Sequence, residues 1–278
     1  MQEREFQVNG RKIVALCHGK EGDRPILALH GWLDNAESFT PLAQQLEGFQ
    51  VVALDLAGHG RSDHRSADGE YSIWSDLPDI LAVVDELGWQ SFDLLGHSRG
   101  ALIGGLVAAT MPARVAHLIL LDSFQVQVAE ANECVDQLLT FLRDRERLLA
   151  EPARVFASPE VAIKARTHSQ FGPGSVDRIV HRNLQPCEGG WCWTTDARLK
   201  GASSFKLTTA HNAAIISAWT MPVLIVLAEQ GLAAHLADME IPESICVETM
   251  AGGHHFHMDE SVVEIAVRLR QFVGDSKS

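Results

Sequence analysis

Five short apolar runs, separated by helix-like stretches, constrain what this chain folds into more than any other feature. They are "PILALH" (25–30), "QVVALDL" (50–56), "FDLLGH" (92–97), "VAHLILLD" (115–122) and "PVLIVLA" (222–228). Each is apolar at consecutive rather than alternate positions, the pattern of a strand buried on both faces, and such strands belong to parallel sheets covered by helices. "SICVETM" (244–250) is a weaker sixth candidate. Between the runs, spacing predicts helices over 38–47, 75–88, 99–111 and 261–273, the second marked by Leu77, Ile80, Leu81, Val84 and Leu87. Asn9-Gly10 divides "REFQVNGRKIVALCHG" into two strand-like halves, so an antiparallel hairpin opens the sheet.

The alternation breaks between 123 and 217, where "NECVDQLLTFLRDRERLLAE", "SPEVAIKARTHSQF", "DRIVHRNLQ" and "FKLTTAHNAAIISA" read as helices without buried strands. The expected organisation is therefore an α/β core of residues 1–122 and 218–278 with a helical cap subdomain at 123–217. Ligands of open parallel sheets bind beyond the carboxyl ends of the strands, and an insertion at such an end covers that place. Residues 143–182 carry eight Lys or Arg against five Asp or Glu. This excess is either a solvated helical face or a mild pull on anionic substrates. Gly172-Pro173-Gly174 marks a local turn.

The 278 residues, 46% hydrophobic, suffice for one large core. A net charge of −13 argues against nucleic acid as a partner. The N-terminal stretch lacks a signal-peptide pattern, and no window reaches the roughly 18 apolar residues of a membrane span. The odd, scattered set Cys17, Cys134, Cys187, Cys192 and Cys246 suits a reducing, cytoplasmic location rather than a disulfide framework. Cys187 and Cys192 have no second pair to complete a zinc site, so neither a metal nor a cofactor is expected.

"LLGHSRGALIGG" places Ser98 where a strand passes directly into a helix, between Gly96 and Gly100. That turn forces its central residue into strained dihedrals, and glycines two positions either side let the backbones pass. The hydroxyl then stands above the sheet edge beside the unpaired N–H groups of the new helix. A serine N-cap in a glycine-rich turn is the plainer alternative.

Four stretches in this order resemble the α/β-hydrolase fold: "LALHGW", "LDLAGHGRSD", "LLGHSRG" and "GGHHFHMDES". More narrowly, "HGWLDNAESF", "DLAGHGRSDH", "AEQGL" and "GGHHFHM" resemble the serine hydrolase-like proteins of that fold. The resemblance implies Ser98 as nucleophile, His254 as general base, and the backbone amides of Trp32 and Arg99 as oxyanion hole. Relatives commonly carry the triad acid where this chain has Gly231, in Glu229-Gln230-Gly231. A minority take it from the strand end occupied here by Asp122, which makes Asp122 the expected acid and Glu229 the fallback. The alternative for Asp122 is a cap or turn residue. Asp55 and His59 read as loop-ordering residues, His30 as a turn-stabilising one, and Gly104 and Gly105 as sites of close helix packing. Trp32, His97 and His257 are candidates for the substrate pocket, and Trp32, Trp191, Trp193 and Phe205 either line an apolar acyl pocket or pack inside the cap. A metal site at the "HHFH" cluster is the weaker alternative for those histidines.

A serine nucleophile, in place of the aspartate of dehalogenases and epoxide hydrolases, suits acyl transfer to water. The expected activity is hydrolysis of a carboxylic ester, thioester or lactone with an apolar acyl group, in a monomer or homodimer. Two alternatives stay open: a catalytically silent ligand-binding or signalling relative, and a carbon–carbon bond hydrolase.

Overall fold

The structure, a computed structural model, describes residues 1–167, 175–231 and 241–275. Six strands in the first half of the chain are β1 (Gln2–Val8), β2 (Arg11–His18), β3 (Arg24–Leu29), β4 (Phe49–Asp55), β5 (Phe92–His97) and β6 (Val115–Leu121). With them alternate α1 (Thr40–Ala43), α2 (Leu77–Glu86) and α3 (Arg99–Thr110). The middle of the chain holds α4 (Cys134–Ala150), β7 (Val155–Phe156), α5 (Pro159–Arg166), α6 (Ser175–Arg182), β8 (Leu184–Cys187), β9 (Gly190–Trp193) and α7 (Thr209–Ser217). β10 (Val223–Gln230), β11 (Ile245–Gly253) and α8 (Val262–Asp275) complete it.

Eight strands form one sheet in the order β1-β2-β4-β3-β5-β6-β10-β11. β2 pairs antiparallel with both β1 and β4, and the other pairs are parallel. Asn9 and Gly10 make the opening hairpin at φ 50° and 76°, the left-handed pair that a two-residue turn requires. The consecutive apolar runs split by parity. Leu27, Leu29, Leu94, Leu118, Leu120 and Ile225 face one side, where they pack with Ile80 and Val84 of α2 and Ile103 and Val107 of α3. Ile26, Ala28, Leu95, Ile119, Leu121 and Val226 face the other, against Phe39, Leu42 and the α8 residues Ile265 and Leu269. Period two on a sheet buried on both sides thus accounts for the unbroken apolar pattern.

Two expectations need correction. The segment between β6 and β10 is not helical throughout: β7, β9 and β8 form a separate three-stranded antiparallel sheet. These strands span two to four residues, too few to produce a periodicity, and Gly189-Gly190 at φ 84° and 148° turns the β8–β9 hairpin. The helix expected at 38–47 is a 3-10 turn at Ala36–Phe39 running into the four residues of α1. The Gly172-Pro173-Gly174 turn lies outside the described residues.

The chain reverses direction of travel across the sheet between β3 and β5, so their carboxyl ends form the switch point where open parallel sheets hold ligands. The segment between β6 and β10 is tied to the loops there. Trp32 Nε1 donates to Leu199 O at 2.7 Å, Asn35 Nδ2 to Ile179 O at 2.8 Å, and Tyr71 Oη to Asp196 at 2.7 Å. Buried Arg182 pairs with Asp55 at 2.7 Å. Among the described residues no helix is long and apolar enough to cross a membrane.

Candidate active site

Ser98 joins β5 to α3 at φ 51°, ψ −118°, a conformation that a residue with a Cβ rarely adopts. Its two glycines explain how this is built. A Cβ on Gly100 would lie 1.9 Å from Leu29 O, so only glycine lets α3 start against the end of β3. A Cβ on Gly96 would meet Gly100 O and the Ala101 Cα at 2.6 Å. The Ser98 amide donates to Leu121 O at 3.1 Å, while its carbonyl accepts from Ala101 N and Leu102 N. The hydroxyl caps no backbone group of the helix, so the plainer N-cap role does not describe it. Arg99 opens α3, where N–H groups have no partner within the helix.

Asp122 follows β6 as Ser98 follows β5, and the two strands pair with His97 opposite Leu121. The two residues therefore leave neighbouring strands at one level of the sheet edge. Asp122 is fully buried at φ 49°. Its amide donates to Val226 O at 2.8 Å, and its Oδ1 accepts from Ala228 N at 3.0 Å. Its Oδ2 lies 2.6 Å from His254 Nδ1. A carboxylate only accepts, so Nδ1 carries the proton and Nε2 presents a lone pair. Gly231 completes the arrangement: a Cβ there would lie 2.2 Å from Asp122 Oδ2. The carboxylate occupies the space that a side chain at 231 would need. Glu229 is exposed at the end of β10.

His254 is the first residue after β11 and leads a tight turn. His97 Nε2–H donates to His254 O at 2.8 Å, which binds this turn to the strand bearing Ser98. Burial, together with His257, His254 and His255, pushes the His97 pKa well below the ordinary value. His255 Nε2 meets Asp34 Oδ2 at 3.1 Å, and Arg166 of α5 reaches Asp34 Oδ1 at 3.4 Å. Burial pushes Asp34 up, but the charges of His255 and Arg166 and the His255 hydrogen bond outweigh it, leaving its carboxyl below the usual range. Asp34, His97 and His255 are the described donors that come nearest to a metal-ligand set, within 4.8 Å of one another. Their carboxylate already serves His255 and Arg166.

Asp55 and His59 order loops as expected. Asp55 accepts from Ala36 N and Arg61 N, and His59 contacts Leu33 N and Ala57 O. His30 bridges Gly31 O and Leu56 N, fixing the turn.

A cavity of about 380 Å³ opens beside Arg99 and Trp32. Its walls include Trp74, Leu102, Phe205, Lys206 and Leu207. Trp32 and Phe205 thus line it, but His97 and His257 do not. Both histidines have no exposed surface, so packing withdraws them from any open pocket. Trp191 and Trp193 instead pack around Phe156 on the small sheet. Trp74 lines the cavity too, although "YSIWSD" shows only the start of a helix.

The pattern of an alpha/beta hydrolase fold family matches residues 24–261. The chain is 36% identical over 193 residues to a human serine hydrolase-like protein, covering 67% of this chain and 94% of that one. A hypothetical protein from Pseudomonas aeruginosa PAO1 superposes with a TM-score of 0.90 at 35% identity over 100% of both chains. A thioesterase domain from the curacin biosynthetic pathway shares the fold at a TM-score of 0.79 and 24% identity, covering 98% of each chain. The protein belongs to the alpha/beta hydrolase fold family.

Proposed function

We propose that this chain is a serine hydrolase of carboxylic esters, thioesters or lactones, working through Ser98, His254 and Asp122. The observation that carries the proposal is the 2.6 Å contact between His254 Nδ1 and buried Asp122, beside a serine held at φ 51° on a strand-to-helix turn. A carboxylate that holds Nδ1–H leaves Nε2 free to take the serine proton.

Ser98 Oγ attacks the acyl carbon as its proton passes to His254 Nε2. The charge that develops on the carbonyl oxygen is met by the amides of Trp32 and Arg99. Collapse expels the alcohol or thiol, protonated by His254, and leaves an acyl group on Ser98. Water, deprotonated by the same nitrogen, releases the acid. This chemistry is complete without a metal or cofactor. The aromatic cavity takes the apolar chain of the acyl group, and residues 123–217 act as the cap above it. The five free cysteines agree with a reducing, cytoplasmic setting.

A fluorophosphonate probe combined with a p-nitrophenyl ester panel tests the proposal. The wild-type protein is expected to be labelled at Ser98 and to turn over esters. Ser98→Ala should fold, escape labelling and lose at least about 10³-fold in kcat. Turnover that survives Ser98→Ala would place the nucleophile elsewhere, and a folded wild type that resists labelling would favour a silent binding relative.

A further inference from the structure

The cavity beside Arg99 is apolar in body but not in charge. Its walls carry Trp32, Trp74, Phe205, Leu102 and Leu207, together with Arg99 and Lys206, and none of the described residues that line it is Asp or Glu. In a chain of net charge −13 this is a local reversal of sign. Lys206 is partly buried and forms no ion pair or hydrogen bond among the described residues. Arg99 is compensated only in part. Its Nη2 donates to Asp76 Oδ2 at 2.8 Å, but Asp76 also serves Arg65, and Arg65 shares Asp79 with Arg11. Three guanidinium groups thus stand on two carboxylates. The Arg99 Nε–H is buried without an acceptor among the described residues.

We infer that, given the hydrolase activity proposed above, this site selects acyl groups whose far end carries an anion, a carboxylate above all, and that Lys206 reads it. A neutral acyl chain fills the aromatic walls equally well but leaves the ammonium unpaired. An ω-carboxylate forms a charge-assisted hydrogen bond in a partly desolvated place, where such contacts are stronger than in water.

The test compares p-nitrophenyl hemi-esters of the dicarboxylic acids from succinate to suberate with neutral esters of equal chain length. At the best length, wild-type kcat/KM for the hemi-ester should exceed that for its neutral partner by about tenfold, the scale of one charge-assisted contact. Lys206→Met should remove that preference, bringing the hemi-ester to neutral-ester ratio of kcat/KM to about one, and Lys206→Glu should reverse it toward ω-ammonium esters. A second arm needs no turnover: isothermal titration of Ser98→Ala protein with 4-phenylbutyrate and 4-phenylbutyramide. Tighter binding of the carboxylate that vanishes with Lys206→Met supports the inference even where no ester is cleaved, a result that would count against the hydrolase proposal alone. Ester turnover with no carboxylate preference, or a preference that Lys206→Met leaves intact, overturns the inference and spares the hydrolase.

Discussion

Asp122 pairs two unusual local features, a positive φ of 49° and a carboxylate lying where a side chain at residue 231 would otherwise go. The first aims the side chain back across the sheet edge toward His254. The second depends on a glycine two residues beyond Glu229. Asp122→Asn keeps the size of the side chain but offers an amide to His254 Nδ1, which favours the wrong tautomer. It should lower kcat by on the order of 10³–10⁴. Glu229 is exposed, and Glu229→Gln should stay within about tenfold. Steady-state kinetics on one activated ester checks the ranking, and the reverse order would remove Asp122 from the proposed machinery. Gly231→Ala makes a separate prediction, because its methyl would lie 2.2 Å from Asp122 Oδ2. Either the carboxylate or the loop must move, and a displacement of that size should cost at least about 10² in kcat. KM should change little, since Gly231 is not among the residues lining the cavity. Wild-type activity in Gly231→Ala would mean that the Asp122–His254 contact tolerates displacement.

At the scale of elements, the chain reveals its parallel sheet because both faces are covered, which makes each strand a run of apolar residues such as 25–30 or 115–122. The turn at Ser98 is legible for a related reason: steric exclusion at Gly96 and Gly100 leaves glycine as the only fit. Asp122 was readable as an acid at a strand end, but its contact with Gly231 was not, since nothing local couples positions so far apart. The three short strands after α4 were illegible because two to four residues carry no period. Burial withdrew His97 and His257 from the pocket, and burial of a histidine at a strand end or in a turn has no local signature either. The glycines of α3 provide a test of steric necessity. Gly100→Ala brings a Cβ within 1.9 Å of a backbone carbonyl, so the start of α3 must shift. Urea unfolding should register a loss of about 2 kcal/mol or more. Gly104→Ala meets side chains only, Leu94 Cδ2 at 3.3 Å, its Cγ at 3.5 Å and Leu118 Cδ1 at 3.8 Å, and gains helix propensity of roughly 0.8–1 kcal/mol. It should be near neutral or stabilising. Equal losses in the two variants would mean that α3 can slide to accommodate either methyl.

The molecule as a whole stores several histidines in a state that acid opposes. Burial lowers the pKa of His30, His59, His97 and His257, and burial with the nearby N-terminal charge lowers His18 to about 4. Each is neutral in the folded protein at pH values where the unfolded chain, with histidines near 6.5, takes up a proton. A base whose folded pKa is depressed contributes stability above its unfolded value and loses it as pH falls toward the folded one. The unfolding free energy should therefore decline from about pH 6.5 downward, before the paired carboxylates Glu3, Asp34 and Asp196, also depressed, begin to add their own loss below about pH 4. His257 is the sharpest probe. Its ring is fully buried 5.5 Å from Phe39, and among the described residues neither of its nitrogens has a hydrogen-bond partner. His257→Phe keeps the ring in an apolar contact and removes one proton-binding group from the unfolded chain. Urea midpoints taken across about pH 5 to 7.5 should fall with acid in the wild type and fall less steeply in the variant. A wild-type profile flat over that range would show that these histidines keep their ordinary affinity for protons after folding, and unchanged steepness in His257→Phe would assign the slope to the other four.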